Sequence, residues 1–410
     1  MKLVVVGGVA AGASIAARAR RLDEFAEIIV LERGHHVSFA NCGLPYHIGG
    51  VITDRSRLLV QTPQSIREAL DLDVRIGHEV VSIDPTAKTV TVRRVDDGTE
   101  YTESYDALAL TPGAEALRPP IAGIDLPGVH VLRTLSEADG LSAALKSAGR
   151  IVIIGAGYIG LEVAASVRKR GHDVVVLEAA DRPMARTASP LIGGWFGALH
   201  RGYGVDLRVS EPVAAIIERE GKAAGVRLGD GEEIEADLVL VAAGLVLNTG
   251  LAEAAGLSCE DGILTDTSTR TSDPSILAAG DVARFHSGLY GRSIRLESVQ
   301  NAIEQGKAAA ATICGDTVHY DPVPWFWSDQ FEIKLQIAGL IEGADEIVRR
   351  GDPEMGRFAV FHLKEGRIIA CEAVNAAPEY MAAQKLIAAR RQVDAQAFRN
   401  LDVAMRDLLS

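Results

Sequence analysis

The stretch IVIIGAGYIGLEVAASVRKRGHDVVVLE, Ile151 to Glu178, decides how the rest of the chain is read. Four apolar residues run straight into Gly155, Gly157 and Gly160, the pattern of a buried strand followed by a turn whose backbone can lie close to a diphosphate. Apolar residues recur at Ile159, Val163, Ala164 and Val167, so one face of the following helix rests on a sheet until Gly171 stops it. The next strand, Val174 to Leu177, ends in Glu178. A carboxylate at that point accepts from a ribose diol and repels a 2′-phosphate. The spacing therefore predicts NADH rather than NADPH, with its diphosphate on the helix N-terminus.

The start of the chain repeats this arrangement. Residues 3 to 6, LVVV, lead into Gly7 and Gly12, then a helix near Ala13 to Arg21 and a strand Glu27 to Leu31 closed by Glu32. The separation 32 − 7 = 25 is close to 178 − 155 = 23, so each acid could hold the ribose of an adenine dinucleotide, and two such units imply two dinucleotides. Val9 stands at the middle glycine position of the first turn, and its side chain must turn away from a diphosphate.

Two further stretches share one design. YDALALTPGA (Tyr105 to Ala114) and ADLVLVAAGL (Ala236 to Leu245) are apolar strands that run into glycine turns, and they bracket the Ile151–Glu178 unit. That unit is therefore expected to be inserted into the first domain, which is split in two. In SILAAGDVARF a short strand, Ile276 to Ala279, precedes Gly280, which lets Asp281 point into a cleft where an acid can accept from a polyol. From Asp321-Pro-Val-Pro-Trp onward short strands alternate, as in EIKLQIAGL and RFAVFHL, before a helix from Pro378 to Arg391. The expected fold is α/β: two Rossmann-like dinucleotide-binding domains, one at 1–112 and 241–318 split by another at 113–240, plus a C-terminal α+β domain at 319–410.

Composition bounds the function. With 410 residues and 48% hydrophobic content the chain can fill several cores. A formal charge of −13 argues against nucleic acid or an anionic membrane surface as partner. Cys42, Cys259, Cys314 and Cys371 are scattered without a CxxC pair, so neither a metal site nor a disulfide framework is expected, and a reducing cytoplasm fits. No signal-peptide pattern or membrane-length apolar run is visible.

These residues together resemble the two-dinucleotide flavoproteins that include glutathione reductase-like enzymes, across essentially the whole chain. The resemblance implies FAD at the first site, held by Gly7, Gly12, Glu32 and Arg33, by Thr111-Pro112-Gly113 at a domain crossing, and by Gly280 and Asp281 at the ribitol. It implies NADH at Gly155, Gly157, Tyr158, Ile159, Gly160, Glu178 and Gly244, and an interface role for the C-terminal domain. Two subgroups are visible within the family. SFANCGLPYHIGG (Ser38 to Gly50) looks like coenzyme A-disulfide reductases and NADH oxidases, in which a single cysteine faces the flavin. RLESVQNAIEQGKAAA (Arg295 to Ala310) and VPWFWSDQF (Val323 to Phe331) look like the reductases of putidaredoxin- and dioxygenase-type ferredoxins. Such a mosaic fits natural recombination or a constructed chimera.

By this resemblance NADH reduces the flavin, with Glu162 beside the nicotinamide and Tyr158 covering its pocket. The family's usual lysine partner for that glutamate is missing, because the matching segment reads Gly43-Leu-Pro-Tyr. For the second half-reaction the ferredoxin-reductase subgroup implies a small iron-sulfur protein as acceptor. A tryptophan of the Trp325-Phe326-Trp327 segment would lie against the isoalloxazine, and the helix opening at Ser298 and Val299 would face the reduced ring. Trp327 is the expected contact, and core aromatics are the plainer reading of all three. Arg349, Arg350, Arg390 and Arg391 could form a basic docking patch or be ordinary solvated arginines. The alternative is a coenzyme A-disulfide reductase- or NADH oxidase-like enzyme, in which Cys42, its pKa lowered by a helix N-terminus or the flavin, reduces a small disulfide or serves the reduction of oxygen; Asn41 and Cys42 would then contact the FAD, and Arg21, Ser38 and Asn41 could hold the substrate. Either enzyme would work as a monomer or homodimer.

Overall fold

Strand Lys2–Val6 feeds two cores: Leu3 and Val5 pack into one apolar cluster, Val4 and Val6 into another. A sheet buried on both faces explains why the sequence shows an unbroken apolar run there instead of alternation. The computed structural model describes residues 1–408, and in it the chain forms two compact units. Met1–Asn41, Arg55–Glu115 and Val246–Pro322 make the first; Cys42–Asp54, Ala116–Leu245 and the chain from Val323 make the second.

The first unit is built on a parallel sheet ordered Ile276–Ala278, Ala107–Leu110, Lys2–Val6, Glu27–Glu32, Asp73–Ile76. Helix Ala10–Leu22, longer than the sequence predicts, follows the central strand. Because Lys2–Val6 lies between the strand that follows it and the one that returns later, its C-terminal end is a switch point of the topology, where α/β sheets bind ligands. Within the second unit the parallel sheet Asp206–Val209, Asp173–Glu178, Arg150–Ile154, Leu238–Val241, Val129–His130 has the same layout around Arg150–Ile154. The two stretches that look alike in sequence are alike in place: Ala107–Leu110 pairs with Lys2–Val6 as Leu238–Val241 pairs with Arg150–Ile154.

The second unit also holds a five-stranded antiparallel sheet, ordered Trp325–Gln330, Ile333–Gly339, Arg367–Val374, Arg357–Lys364, Glu346–Asp352, with helix Ala377–Ala389 against it. The expected C-terminal α+β domain is this sheet with its helix, and it is grouped in one compact unit with the parallel sheet. The physical reason lies in helix Tyr158–Lys169, whose buried side meets strand Trp325–Gln330 as well as the parallel sheet. Residues 42–54 join this unit because the short helix Leu44–Ile48 docks on the same helix. Leu44 and Ile48 are fully buried, Arg170 donates to Ile48 O at 2.7 Å, and a Cβ on Gly49 would stand 2.6 Å from Cβ of Ser166.

The structure corrects one expectation in this region. Arg350 is not a surface docking residue: its strand alternates, Val348 and Arg350 face inward, and the guanidinium donates to the carbonyls of Phe398, Asn400 and Val403. It ties down the C-terminal segment.

Glycines inside helices separate tight contacts from open ones. A Cβ on Gly160 would collide with the carbonyl of Gly155, whereas one on Gly140, exposed in helix Leu135–Leu145, would meet nothing within 4 Å. Gly160→Ala should cost about 2 kcal/mol or more through overpacking, and Gly140→Ala should stabilise by roughly 0.5–1 kcal/mol. Urea denaturation followed by far-UV circular dichroism reads both, and equal effects from the two changes would contradict this packing.

Candidate functional site

Both units end their central strand in the same way. Gly7 (φ +92°) and Gly155 (φ +104°) take the left-handed conformation that a side chain resists, and Gly12 and Gly160, in the first turn of the helices that follow, press against the carbonyls of Gly7 and Gly155. The closing acids do more than the sequence suggests. Glu32 accepts from the N–H groups of Gly8 and Gly34, both at 2.8 Å, and Glu178 from those of Ala156 and Ala180, at 2.7 and 2.8 Å. Each carboxylate clamps its own glycine turn and still keeps lone pairs for a ribose.

The space in front of the turns suits a diphosphate. Gly157 caps helix Tyr158–Lys169 in extended conformation, and a Cβ there would meet nothing within 4 Å. In the first unit Val9 holds the equivalent capping position of helix Ala10–Leu22, half-buried. The helix N-termini, the bare backbone and the two acids fit the adenine dinucleotides that the sequence implies.

Around the first turn, Thr111 donates its hydroxyl to the carbonyls of Val6 and Gly7 at 2.8 and 2.9 Å, and Pro112 O accepts from Asn248. Gly113 follows with φ +62°. Gly280 is held by Gln305, whose Oε1 accepts its N–H at 2.9 Å, with Asp281 half-buried beside it. Gln305 is fully buried in helix Val299–Ile313, and only its place one turn beyond Asn301 could have marked it in the sequence. Ser298 caps that helix, accepting from Asn301 N–H at 3.1 Å. Arg33 pairs with Glu115 on the surface, Asn41 is half-buried at the end of this unit's first segment, and Ser38 and Arg21 are not brought together by any described contact.

In the second unit Ile159 opens the same helix turn as Tyr158, and Gly244 has φ +122°. Strand Trp325–Gln330 lays its even-numbered side chains along helix Tyr158–Lys169. Phe326 packs on Tyr158 (ring centroids 4.6 Å apart) and Ser328 donates to Glu162 Oε1 at 2.7 Å. Trp325 and Trp327 project from the other side of the strand, half-buried, with centroids 5.6 Å apart.

Glu162 lies between two segments far apart in sequence. Its Oε1 accepts from Ser328 and from the hydroxyl of Tyr46 at 3.2 Å, and Tyr46 in turn accepts from the Asp329 N–H at 3.1 Å. Tyr46, from the segment that carries no lysine, is thus one of two hydroxyl donors to this carboxyl. Burial pushes the carboxyl up to about 7, with the two hydroxyls pulling it down and Asp329 pushing it up. Tyr46 is itself raised, by burial and by Glu162, and remains a donor.

Cys42 begins the same 42–54 segment and reaches solvent. The protein's own groups do not favour its thiolate. Enclosure by protein atoms and the Glu162 carboxylate raise its pKa, and the backbone bond that lowers it is the smallest of the three effects. A single turn of 3₁₀ helix at Asn41–Gly43 does not outweigh them.

Comparison with known proteins agrees with this geometry. Residues 1–306 match the family model described as pyridine nucleotide-disulphide oxidoreductase, and 325–409 match one described as reductase C-terminal. The probable ferredoxin reductase CtmF of Castellaniella defragrans is 40% identical over 389 residues, 94% of this chain and 93% of that protein. The reductase in a covalent putidaredoxin reductase–putidaredoxin complex superposes with a TM-score of 0.94 at 33% identity, covering 100% of this chain and 98% of that one. Reduced CoADR-RHD of Bacillus anthracis superposes with a TM-score of 0.89 at 31% identity, covering 99% and 77%. Both subgroups seen in the sequence are thus among its neighbours.

The clamp at Glu178 has a measurable consequence. Glu178→Ala removes two backbone contacts together with a charge that would repel a 2′-phosphate. The ratio of NADPH to NADH KM values should fall at least about tenfold, equivalent to ~1.4 kcal/mol, with weaker NADH binding as well. A wild-type protein that prefers NADPH would refute the assignment.

Proposed function

The chain belongs to the pyridine nucleotide-disulphide oxidoreductase family, and from that premise we propose that it is an FAD-dependent NADH:ferredoxin reductase, passing electrons from NADH to a small iron-sulfur protein. The observation that carries this reading is the repetition of one clamped glycine turn in both units, at Gly7 to Glu32 and Gly155 to Glu178. Two dinucleotides serve a chain that takes a hydride from one and works through the other. Bound FAD would supply the conversion of a two-electron donor into a source of single electrons.

The protein's own groups prepare the two nucleotides. Gly7 and Gly155 let each backbone turn approach a diphosphate, Glu32 and Glu178 hold the turns, and Gln305 fixes the backbone ahead of Asp281, which we assign to the ribitol. Glu162 and Tyr158 face the nicotinamide in this reading. Arg349, Arg390 and Arg391 are exposed and offer positive charge to an acidic iron-sulfur partner in spite of the chain's net charge. No helix among the described residues is long and apolar enough to cross a membrane. A monomer or homodimer working in the cytoplasm is part of the proposal.

A second reading, reduction of a small disulfide through Cys42, draws on the cysteine's access to solvent and on the likeness to CoADR-RHD. Its raised thiol pKa weighs against it, since the thiolate is the nucleophile.

Both readings meet in one assay with the FAD-loaded protein. NADH-driven cytochrome c reduction should rise by at least about tenfold when a two-iron ferredoxin is added, and Cys42→Ser should keep that rate within about twofold. Absence of ferredoxin stimulation across several partners, together with coenzyme A disulfide turnover lost in Cys42→Ser, would replace the first reading with the second.

A further inference from the structure

Behind Glu162 runs a line of hydrogen bonds that the reading above does not use. His200, on helix Pro190–Gly202, is fully buried, and its Nε2 lies 2.9 Å from Oε1 of Gln330. An amide oxygen only accepts, so His200 must carry a proton on Nε2. Burial lowers its pKa to about 4, and the ring is neutral near pH 7, with Nδ1 as the bare nitrogen. With Oε1 occupied in this way, Gln330 presents Nε2 to the Ser328 hydroxyl at 3.1 Å. That N–H fills a lone pair of the hydroxyl, and Ser328 turns its one proton to Oε1 of Glu162.

Tyr46 is polarised in the same sense from the opposite side. Its oxygen accepts from the Asp329 N–H and its proton goes to the same Oε1. Ser328, Gln330 and His200 are fully buried and Glu162 is 7% exposed, so water does not scramble these directions. Every described hydrogen bond to the carboxyl ends on Oε1 and none on Oε2.

We propose that His200, Gln330 and Ser328 are positioning residues which, with Tyr46, reserve Oε1 of Glu162 as an acceptor and so confine its exchangeable proton to Oε2. The groups that face the carboxyl are Tyr46 and Cys42 from the 42–54 segment, Ser328 and Asp329 from strand Trp325–Gln330, and Tyr158 from its own helix. None of these is a cation. Two neutral donors alone support the ionised form against burial and against Asp329, and a carboxyl in that balance exchanges its proton near neutrality. Only the second readout below rests on the NADH reading.

Infrared difference spectra of the FAD-loaded protein, titrated from about pH 5 to about pH 9, test the chain directly. Wild type should show a protonated-carboxyl band that is absent in Glu162→Gln and that vanishes with a midpoint near 7. Ser328→Ala should raise the midpoint by about one pH unit, because a bond to the charged form is lost. Gln330→Leu and His200→Phe should move it in the same direction by less, and Ser328→Thr should restore the wild-type value. The pH dependence of NADH binding should follow the infrared midpoint. If Gln330→Leu leaves the midpoint unmoved, or if wild type lacks the band at every pH, the proposal is overturned. Should His200→Phe disturb the circular dichroism spectrum, Gln330→Leu alone decides. Infrared shifts without a matching change in NADH binding would uphold the positioning chain and remove Glu162 from the nicotinamide site.

Discussion

Helix Tyr158–Lys169 is packed closely on three sides, and the candidate chemistry depends on that packing. Its own glycine turn fixes where it begins, the bare Gly49 lets residues 44–48 come down on Ser166, and the even face of strand Trp325–Gln330 lies along it. Each contact needs a small residue or a matched period. A helix presents positions 158 and 162 one turn apart on one face, and a strand presents 326 and 328 on one face at two-residue spacing. Tyr158 therefore meets Phe326 while Glu162 meets Ser328, and shifting the strand by one residue would bring Trp327 and Asp329 to the helix instead.

This packing has an electrostatic result. A carboxyl that is 7% exposed and has no cation beside it cannot remain fully ionised at neutral pH unless hydrogen bonds compensate. Two hydroxyls compensate in part, which leaves Glu162 poised near neutrality. A lysine in place of Tyr46 would instead hold it ionised throughout the physiological range. Tyr46 supplies a donor without a charge, so the site holds a titrating acid and not an ion pair.

Much of this architecture is legible in the sequence, for physical reasons. A parallel strand buried on both faces must be uniformly apolar, a turn touching phosphate must lack side chains, and an acid must end the second strand, so Gly7 to Glu32 and Gly155 to Glu178 can be read directly. The antiparallel sheet near the C-terminus is visible in its alternation. What cannot be read is which distant segment covers which face. Nothing local in Leu44–Ile48 says that it docks on residues 158–169, and nothing in Ser328 or Gln330 says that their neighbours are Glu162 and His200. Arg350 shows the same gap, because its inward direction follows from strand register and its partners are carbonyls that carry no sequence signal.

The same enclosure acts on Cys42 and Glu162, and this separates the two subgroups that the sequence resembles. A disulfide-reducing cysteine must be a thiolate at working pH, which calls for a nearby cation or a strong helix N-terminus. Here the neighbouring titratable group is an acid, so ionising either residue makes ionising the other harder. A reductase that hands single electrons to an iron-sulfur protein makes no such demand on the thiol, and for it a neutral Cys42 beside a titrating Glu162 carries no penalty. The cysteine motif then persists as a short segment whose other residues, Leu44, Tyr46 and Ile48, still hold the helix and its acid in place.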